Sequence, residues 1–416
     1  MTTPPRLGLA LLLVVALCDA GLRWQHSANE EVSAQAFVST SATNNQQAPA
    51  CTQLGVVNEG LIPMPEGAPV AHASNLVAIS QGHPWYGQKL LAAFWFAGTR
   101  ESAADVQIAM STFDRQQNRW DAPQWVVNRQ VLGDALGIKV RRLGNPVAWS
   151  DGQGRLHLFV VATGLGGWAA SRVVHLIQDT AKSNDVQASQ FKVIRTLPLT
   201  ALVPAFNTST LVRAAPLPLA DGGAVLPLYF EIGIKYGVAL RLNAQGEMQG
   251  LTRITQRRDV LQPTLIAHTP LHWSALMRDY GPTERIAHSE THDGGQTWHD
   301  QSNLNISNPD TSVAVLQASN GAMLMAHNMT DRRREVLYMS TNSESSVTNW
   351  HTQAWVKGIN NEAGNEFSYP SLIEVPRISG DEKASPDLWL SYTNKRQAIA
   401  FQRLQLVCKS GRGGAL

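Results

Sequence analysis

The stretch THDGGQTW, residues 291–298, decides the fold of this chain. It has the spacing Ser/Thr-x-Asp-x-Gly-x-Thr-Trp, and the fixed positions are Thr291, Asp293, Gly295, Thr297 and Trp298. The aspartate can accept hydrogen bonds from the backbone of its own turn, and the glycines permit the positive φ that a tight hairpin requires. The tryptophan buries a large apolar ring where the next strand begins. We therefore interpret the stretch as a hairpin turn between two strands, without chemistry of its own.

Length and composition favour one large all-β domain. The 416 residues are 44% hydrophobic, which is enough for a large core, and 32 Gly, 21 Pro and 12 Trp indicate many turns and aromatic anchors. The formal charge is only +2, from 34 Lys and Arg against 32 Asp and Glu. Because no basic stripe is present, nucleic acid is not an expected partner.

The N-terminus has the form of a secretory signal. Arg6 precedes an apolar run over residues 7–17, and this run is shorter than the ~20 residues that span a bilayer. We expect a signal peptide over residues 1–20 and a secreted or periplasmic protein, with membrane contact only if the segment is not cleaved. Residues 21–50 are rich in Ser, Ala, Asn and Gln, which predicts a flexible linker.

A pattern of a short motif, an alternating strand, a turn, a second apolar strand and a third strand recurs six times. The repeats begin at His72, Asn145, Arg213, Gln262, Thr311 and Tyr369. Their spacing of roughly 50 to 70 residues suits four-stranded units. The sequence thus predicts an all-β fold, a six-bladed β-propeller of four-stranded antiparallel blades over residues 51–410.

The sixth repeat has only three strands before the chain ends, so its outer strand must come from elsewhere. We expect the segment 51–57 to pair beside the last strand and close the ring. Cys51 and Cys408 flank that pair, and in an oxidising compartment they are expected to form a disulfide. Two unrelated free thiols are the alternative.

Polar residues recur where the first strand of a repeat begins or the second ends. A single such residue is usually a satisfied strand-end group, but recurrence at equivalent positions favours a site at the propeller axis. No metal-ligand spacing stands out, so neither a metal nor another cofactor is expected. The residues are His72, Arg100, Glu101, Asp105, Asn145, Arg213, Glu231, Gln262, Arg278, Asp279, Asp310, Asn328, Tyr369 and Arg396.

The stretch 291–298 is an Asp-box, and it resembles the repeat of sialidases and their relatives. In that family the box lies on the outer rim of the propeller, between the third and fourth strands of a blade. The resemblance extends over about residues 60–405. It implies a sialidase-like fold and an active centre at the axis, away from the box.

The resemblance also assigns roles to particular residues. The stretch from QPTLIAH to the box resembles the fourth blade, in which an arginine after the second strand binds the substrate carboxylate, here Arg278. The segment FSYPSLI resembles the one that carries the nucleophile, here Tyr369. Asp105 matches the acid/base, and Glu231 matches the glutamate that activates the tyrosine.

These residue types suit an acidic sugar. A carboxylate nucleophile would be repelled by the acid group beside the anomeric carbon, whereas a neutral phenol is not. A phenol has a pKa near 10, so it needs a base within reach. Arginine grips a carboxylate through two parallel hydrogen bonds.

The chain departs from the family in its first blade. Sialidases carry Phe/Tyr-Arg-Ile-Pro there, and this chain has Ala-His-Ala-Ser at residues 71–74, so the first of three arginines is missing. The run 332–334 offers three candidates for the third arginine, and the sequence does not choose among them. Further predicted contacts to the substrate are Arg100, Arg213, Arg396, Gln262 and Asn145.

Three functions follow as hypotheses. The first is an exo-acting, sialidase-like glycoside hydrolase that releases a terminal acidic sugar from a glycan or acidic oligosaccharide. The second is a lyase or hydrolase for uronic acid linkages that uses His72 as its acid/base. The third is a non-catalytic glycan-binding propeller.

Overall fold

The computed structural model of the chain describes residues 34–38, 53–164, 167–179, 190–197, 209–342, 347–357, 365–376 and 387–407. The expected signal segment lies outside these residues. So do Cys51 and Cys408, and their disulfide therefore stays a prediction. No helix among the described residues is long and apolar enough to cross a membrane.

Antiparallel strands make up almost all of the described chain, and the predicted fold is confirmed. In chain order the elements are β1 (Gln53–Leu61), β2 (Val70–Ala78), β3 (Lys89–Gly98), β4 (Gln107–Asp114), β5 (Arg119–Trp120), β6 (Gln124–Val127), α1 (Arg129–Leu136), β7 (Arg142–Ser150), β8 (Leu156–Thr163), β9 (Ser171–Gln178), β10 (Phe191–Thr196), β11 (Thr210–Val212), β12 (Leu217–Pro218), β13 (Ala224–Phe230), β14 (Tyr236–Leu242), β15 (Met248–Arg253), β16 (Val260–Ala267), β17 (Trp273–Asp279), β18 (Ala287–Thr291), β19 (His299–Asp300), β20 (Ala314–Gln317), β21 (Met323–Met329), β22 (Arg333–Asn342), β23 (His351–Lys357), β24 (Phe367–Val375), β25 (Asp387–Asn394) and β26 (Ala398–Val407).

Six sheets follow one another around the ring. The first contains β2 to β6, the second β7 to β10, the third β11 to β15, the fourth β16 to β19 and the fifth β20 to β23. The second strands β3 and β8 are buried at every residue. Their continuous apolar runs follow from this position, because both faces of each strand are covered by protein. The hydrophobic core therefore consists of layers of side chains packed between neighbouring blades.

The sixth sheet is closed by the N-terminal strand. Its order is β1-β26-β25-β24, and β1 pairs antiparallel with β26 from Gln53 opposite Val407 to Leu61 opposite Ala400. The strand predicted near residues 51–57 therefore does complete the last blade. Pairing between the two ends of the chain means that the ring closes only after the last blade has been made.

The first strand of each blade has an irregularity at its start. Registers shift by one residue in β2, β7, β16 and β24. A bulge of this kind re-aims a side chain, and positive φ in a residue other than glycine stores about 1–3 kcal/mol of strain. The residues with positive φ here, one for each blade, are Ala73 (55°), Asn145 (37°), Ser209 (66°), Gln262 (50°), Asp310 (56°) and Tyr369 (53°).

The Asp-box forms the turn between β18 and β19, the third and fourth strands of the fourth blade. The Asp293 carboxylate accepts hydrogen bonds from Gln296 N (2.9 Å), Thr297 N (3.0 Å) and the Thr291 hydroxyl (2.7 Å). Gly295 has φ 87°, and a Cβ there would lie 2.7 Å from the Trp273 ring. The turn is thus built as the sequence predicted.

Trp298→Ala is expected to lower the free energy of unfolding by about 3 kcal/mol. The indole is 9% exposed, packs in the core of the fourth blade and donates to Gly295 O at 3.2 Å. The change should shift the urea midpoint. Trp125→Ala is the matched control, because that ring is 39% exposed and should cost less than about 1 kcal/mol. Equal stability of the Trp298 variant and wild type would refute the structural role of the box.

Residues 34–38 lie against the propeller, although they belong to the segment predicted as a flexible linker. Ala36 N donates to Pro270 O (2.8 Å), and Phe37 N donates to Pro218 O (2.9 Å). Ala34 and Ala36 are buried in the core cluster that contains Trp298. The linker description is therefore wrong for these five residues. The small side chains of Ala34 and Ala36 let the backbone approach the blades closely.

A cavity of about 860 Å³ occupies the central channel. It is lined by the inner strands of all six blades, with Phe37 and Val38 among its lining residues. Arg213 and Pro370 also line it, whereas His72, Tyr369 and Arg278 do not. The channel cavity thus borders the polar site described next through Arg213 and Pro370.

Candidate active site

Tyr369 lies at the centre of the polar site, on the bulge that opens the sixth blade. Its ring is half-buried and contacts the His72 ring, with centroids 4.4 Å apart. The guanidinium carbons of Arg213 and Arg334 lie 5.2 and 5.7 Å from the ring centroid. The first, third, fifth and sixth blades therefore meet at this tyrosine.

Two arginines stand beside the tyrosine with carboxylate partners. Arg278 lies one residue before the end of β17 and donates from Nε to Asp310 at 2.5 Å, and its terminal nitrogens make no hydrogen bond among the described residues. Burial disfavours its charge, but the hydrogen bond that it donates to Asp310 raises the pKa of Arg278 above its usual value. Such a group stays cationic and can offer its remaining N–H donors to an anion.

The structure selects Arg334 from the run 332–334. Its Nη1 donates to Glu366 at 3.1 Å and its Nη2 to Asp310 O at 3.4 Å. Arg332 instead pairs with Glu335 at the surface, and Arg333 is exposed. The run therefore has one member facing the site and two that are solvated.

Glu366 organises the cationic side of the site, and the sequence did not identify it. It accepts from Arg334, from Ser368 at 2.7 Å and from Arg396 Nε at 2.5 Å. Burial opposes its charge, but the bonds from Arg396 and Ser368 lower the pKa of Glu366 to about 2. Arg396 also pairs with Glu101, on the loop between β3 and β4. No sequence signal marks Glu366, since it precedes the recognisable segment FSYPSLI by one residue.

Glu231 carries the carboxylate best suited to accept a proton. It follows β13, and its side-chain oxygens have no hydrogen-bond partner among the described residues. Burial raises the pKa of Glu231, with a smaller contribution from the charge of Asp310, against the opposing charges of Lys235 and Arg278. A carboxylate with a raised pKa and free lone pairs is a stronger base than an ordinary glutamate.

Tyr229 is a second buried phenol, and it interacts electrostatically with both Glu231 and Tyr369. Its ring is buried. Burial raises the pKa of Tyr229, and the nearby groups of Glu231 and Tyr369 raise it further. The side-chain amides of Asn145 and Gln262 lie 3.5 Å from its hydroxyl oxygen, the outer limit of a hydrogen bond. The two amides predicted to bind substrate therefore contact this buried phenol.

His72 replaces the missing arginine without replacing its charge. Its side chain is 2% exposed, and neither ring nitrogen has a hydrogen-bond partner among the described residues. Burial lowers the pKa of His72 to about 3, so the ring is neutral at physiological pH. It forms an uncharged wall against Tyr369.

Arg213 is a structural contact beneath the site. Its terminal nitrogens donate to Ser74 O (3.2 Å) and Pro370 O (2.9 Å), which joins the inner strands of the first and sixth blades. Burial lowers the pKa of Arg213 to about 10, and the side chain is 3% exposed. The guanidinium thus donates its hydrogen bonds to backbone carbonyl oxygens just below Tyr369.

The structure does not bring Asp105 and Arg100 to the other predicted residues. Both are exposed on the loop between β3 and β4. The Asp105 carboxylate accepts from Thr99 N (2.8 Å) and the Thr99 hydroxyl (2.9 Å). Burial opposes its charge, but these bonds and the Arg100 charge together lower the pKa of Asp105. Only Glu101 of this loop reaches the site.

Two further predicted residues have structural roles. Asp279 holds the loop after β17, where it accepts from Gly281 N (2.7 Å) and Arg285 N (3.2 Å). Asn328 donates to Val336 O (2.7 Å) and Phe367 O (2.8 Å), so it joins the fifth and sixth blades. These two fit the ordinary behaviour of buried strand-end polar groups.

Taken together, the site has a phenol, a carboxylate with a raised pKa and two arginines, which are linked by ring contacts and by electrostatic interaction. Residues 88–379 match the sequence profile of a family described as BNR repeat-like domain. No curated protein sequence matches the chain.

Solved sialidases have the same fold. A Hadza microbial sialidase has a TM-score of 0.61 at 14% identity, and the match covers 82% of this chain and 66% of that one. The NanB sialidase of Streptococcus pneumoniae has a TM-score of 0.59 at 11% identity, over 83% and 70%. The Trypanosoma rangeli sialidase has a TM-score of 0.56 at 11% identity, over 86% and 60%. At these identities the likeness is one of fold, and this chain spans about two thirds of such chains.

Proposed function

Because the chain belongs to the family of BNR repeat-like domains, we propose that it is a sialidase-like, exo-acting glycoside hydrolase that releases a terminal acidic sugar, sialic acid or a related one, from glycans. The observation that carries the proposal is the position of Tyr369 on its bulge, beside Arg278 and Arg334. Glu231 interacts electrostatically with Arg278 and with Tyr229, and both of these interact with Tyr369. A secreted or periplasmic location is part of the same proposal, since glycan substrates are found there.

The residues divide the reaction as follows. The Tyr369 oxygen attacks the anomeric carbon while its proton passes to Glu231, and the bond to the leaving oxygen breaks. Arg278 and Arg334 hold the sugar carboxylate beside that carbon. Water then displaces the phenolate oxygen and gives its proton to Asp105, while the phenolate regains its own proton from Glu231, so that the enzyme is restored.

Asp105 is the proposed acid for the leaving oxygen. Its loop is anchored at the site by Glu101, but the carboxylate now accepts from Thr99. To act it exchanges Thr99 for the glycosidic oxygen when substrate enters, because an exposed carboxylate with a lowered pKa is a poor acid. Closure of the loop over the sugar also removes water from the site.

The His72 alternative has less support. A uronic-acid enzyme needs an acid/base that changes protonation near neutral pH, whereas burial lowers the pKa of His72 to about 3. A non-catalytic glycan-binding propeller is favoured by the absence of the first-blade arginine, since two arginines hold a carboxylate less firmly than three.

A fluorogenic sialoside tested beside a panel of uronic-acid oligosaccharides separates these functions. The hydrolase turns over the sialoside, and a His72-dependent enzyme acts on the uronic acids instead. A binding propeller turns over neither and still retains glycans on an array. The second or third result would overturn the proposal.

Arg278→Lys is expected to lower kcat/KM for an acidic substrate by about 10- to 100-fold, mainly through KM. Lysine keeps the charge but loses the bidentate grip, and a hydrogen bond to a charged group contributes about 1.5–3 kcal/mol. Arg332→Lys, at the surface pair with Glu335, is the control and should leave kinetics unchanged. An unchanged KM for Arg278→Lys would show that this arginine does not bind the substrate.

A further inference from the structure

A second cluster of titratable side chains lies at the opposite end of the fourth blade, beside the Asp-box. The turn between β16 and β17 carries His268 and His272, and it is closed by a hydrogen bond from His268 N to His272 O at 2.8 Å. Strand β18 supplies Glu290 from the neighbouring position in the sheet. The predicted absence of a metal site rested on spacing along the chain, and spacing does not show this convergence.

Three ligand atoms of this cluster face one another. One ring nitrogen of His268, one of His272 and a carboxylate oxygen of Glu290 all lie within 4.8 Å of each other. The His272 Nε2 to Glu290 Oε1 distance is 3.8 Å, too long for a hydrogen bond. Ligand atoms around tetrahedral Zn²⁺ are about 3.3 Å apart, since the bonds are about 2.0–2.2 Å long. The distances between the ligand atoms would therefore have to shorten by about 1 Å when an ion binds.

Ser274 orients His268. Its hydroxyl lies 2.8 Å from His268 Nε2 and 3.1 Å from His288 Nε2, and it donates to Glu290 Oε1 at 3.4 Å. With its proton directed at Glu290, the hydroxyl oxygen accepts from His268 Nε2, which leaves the lone pair of that ring on Nδ1. Metal-binding histidines are commonly oriented in this way by a hydrogen bond at their other ring nitrogen.

Two of the ring nitrogens are buried and have no other partner. His268 is 8% exposed, and its Nδ1 makes no hydrogen bond among the described residues. His272 Nε2 is likewise buried without a partner. A buried polar atom left unpaired costs about 1–3 kcal/mol, so these two nitrogens point to a missing ligand.

We propose that His268 Nδ1, His272 Nε2 and a Glu290 oxygen bind one zinc ion, with the fourth position open to water or to His292. Two imidazoles and one carboxylate suit Zn²⁺, whereas Ca²⁺ requires six to eight oxygen ligands. The exposed His292 ring stacks on His272 with centroids 4.1 Å apart, and its Nε2 lies 3.8 Å from Glu290 Oε2.

The site is independent of the proposed glycosidase activity. His272 precedes β17, and Arg278 ends the same strand about 20 Å away, at ~3.3 Å per residue. A zinc ion here joins the β16–β17 turn to β18 just before the Asp-box. Its expected effect is on stability at the outer end of the blade, because binding to the folded state alone stabilises that state.

The experiment is a titration of chelator-treated full-length protein with Zn²⁺ alone. Calorimetry measures the binding, and thermal unfolding measures the change in stability. We expect about one equivalent to bind and the melting temperature to rise. His272→Ala and Glu290→Gln alter partly exposed side chains, so both variants should fold, and each should weaken binding at least tenfold. His351→Ala, an exposed histidine of the fifth blade, is the matched control and should bind as wild type.

The proposal is overturned if no stoichiometric binding occurs, or if both variants keep wild-type affinity, because the ion then binds elsewhere. Ca²⁺ serves as the comparison ion. Binding of Ca²⁺ as tight as that of Zn²⁺ would also contradict a nitrogen-rich site. None of these results depends on glycosidase activity, which should be equal in the metal-free and zinc-loaded proteins.

Discussion

Tyr369→Phe is expected to lower kcat for a fluorogenic sialoside by about a thousandfold or more, while the protein keeps its stability and much of its affinity for glycan. The change removes only the phenolic oxygen that attacks the anomeric carbon, and loss of a nucleophile in other hydrolases has effects of about this size. The ring contacts to His72 and Arg213 are retained, since they involve the ring and not the oxygen. A small change in KM with a large change in kcat separates chemistry from recognition.

Tyr86→Phe is the control for this experiment. Tyr86 lies on the turn between β2 and β3, at the other end of the first blade, and its ring is 36% exposed. It should retain full activity. If Tyr369→Phe remains as active as the control, the tyrosine mechanism is wrong. If His72→Ala alone then loses activity on uronic acids, the second hypothesis takes its place.

Glu231→Gln is expected to lower kcat by about 10²- to 10⁴-fold, the usual contribution of a general base. Burial raises the pKa of Glu231 above the ordinary value for glutamate. Because the base works only when deprotonated, activity should fall as the pH drops through this raised pKa and level off above it. The acidic limb of the wild-type pH profile should therefore lie at a higher pH than the limb of an enzyme whose base is a glutamate of ordinary pKa.

The pH profile of the variant is the sharper test. Glutamine does not titrate, so the acidic limb due to residue 231 should disappear from the residual activity. Glu247→Gln is the matched control, since Glu247 is exposed at the turn between β14 and β15 and bonds only to Asn243. A Glu231→Gln variant with the same limb and a similar kcat would show that another group receives the proton.

The fold could be predicted from the sequence because its signals are local and repeated. Each blade carries its own alternating strands and turns, and the Asp-box is stabilised by Asp293 within its own eight residues. The missing outer strand of the last repeat was enough to place β1 beside β26. The linker was mispredicted at residues 34–38, because their contacts are with blades far along the chain.

Much of the candidate site follows less directly from the sequence. The resemblance indicated Tyr369, Glu231 and Arg278. In the structure the charge of Arg278 interacts with both Tyr369 and Glu231. Glu366 was missed, since its importance lies in its bonds to Arg334 and Arg396. Asp105 was predicted from the resemblance of the first-blade stretch, but the conformation of its loop turns the carboxylate to Thr99.

The sequence by itself determined the six-bladed architecture, the closure of the ring and the hairpin formed by the box, since periodicity and turn chemistry act over a few residues. Only the tertiary structure decided which arginine of the run 332–334 faces the site, that burial makes His72 neutral, and that His268, His272 and Glu290 converge. Each of these depends on burial or on contacts between separate strands. A propeller places such strands side by side, and no pattern within a single strand records which residues will meet.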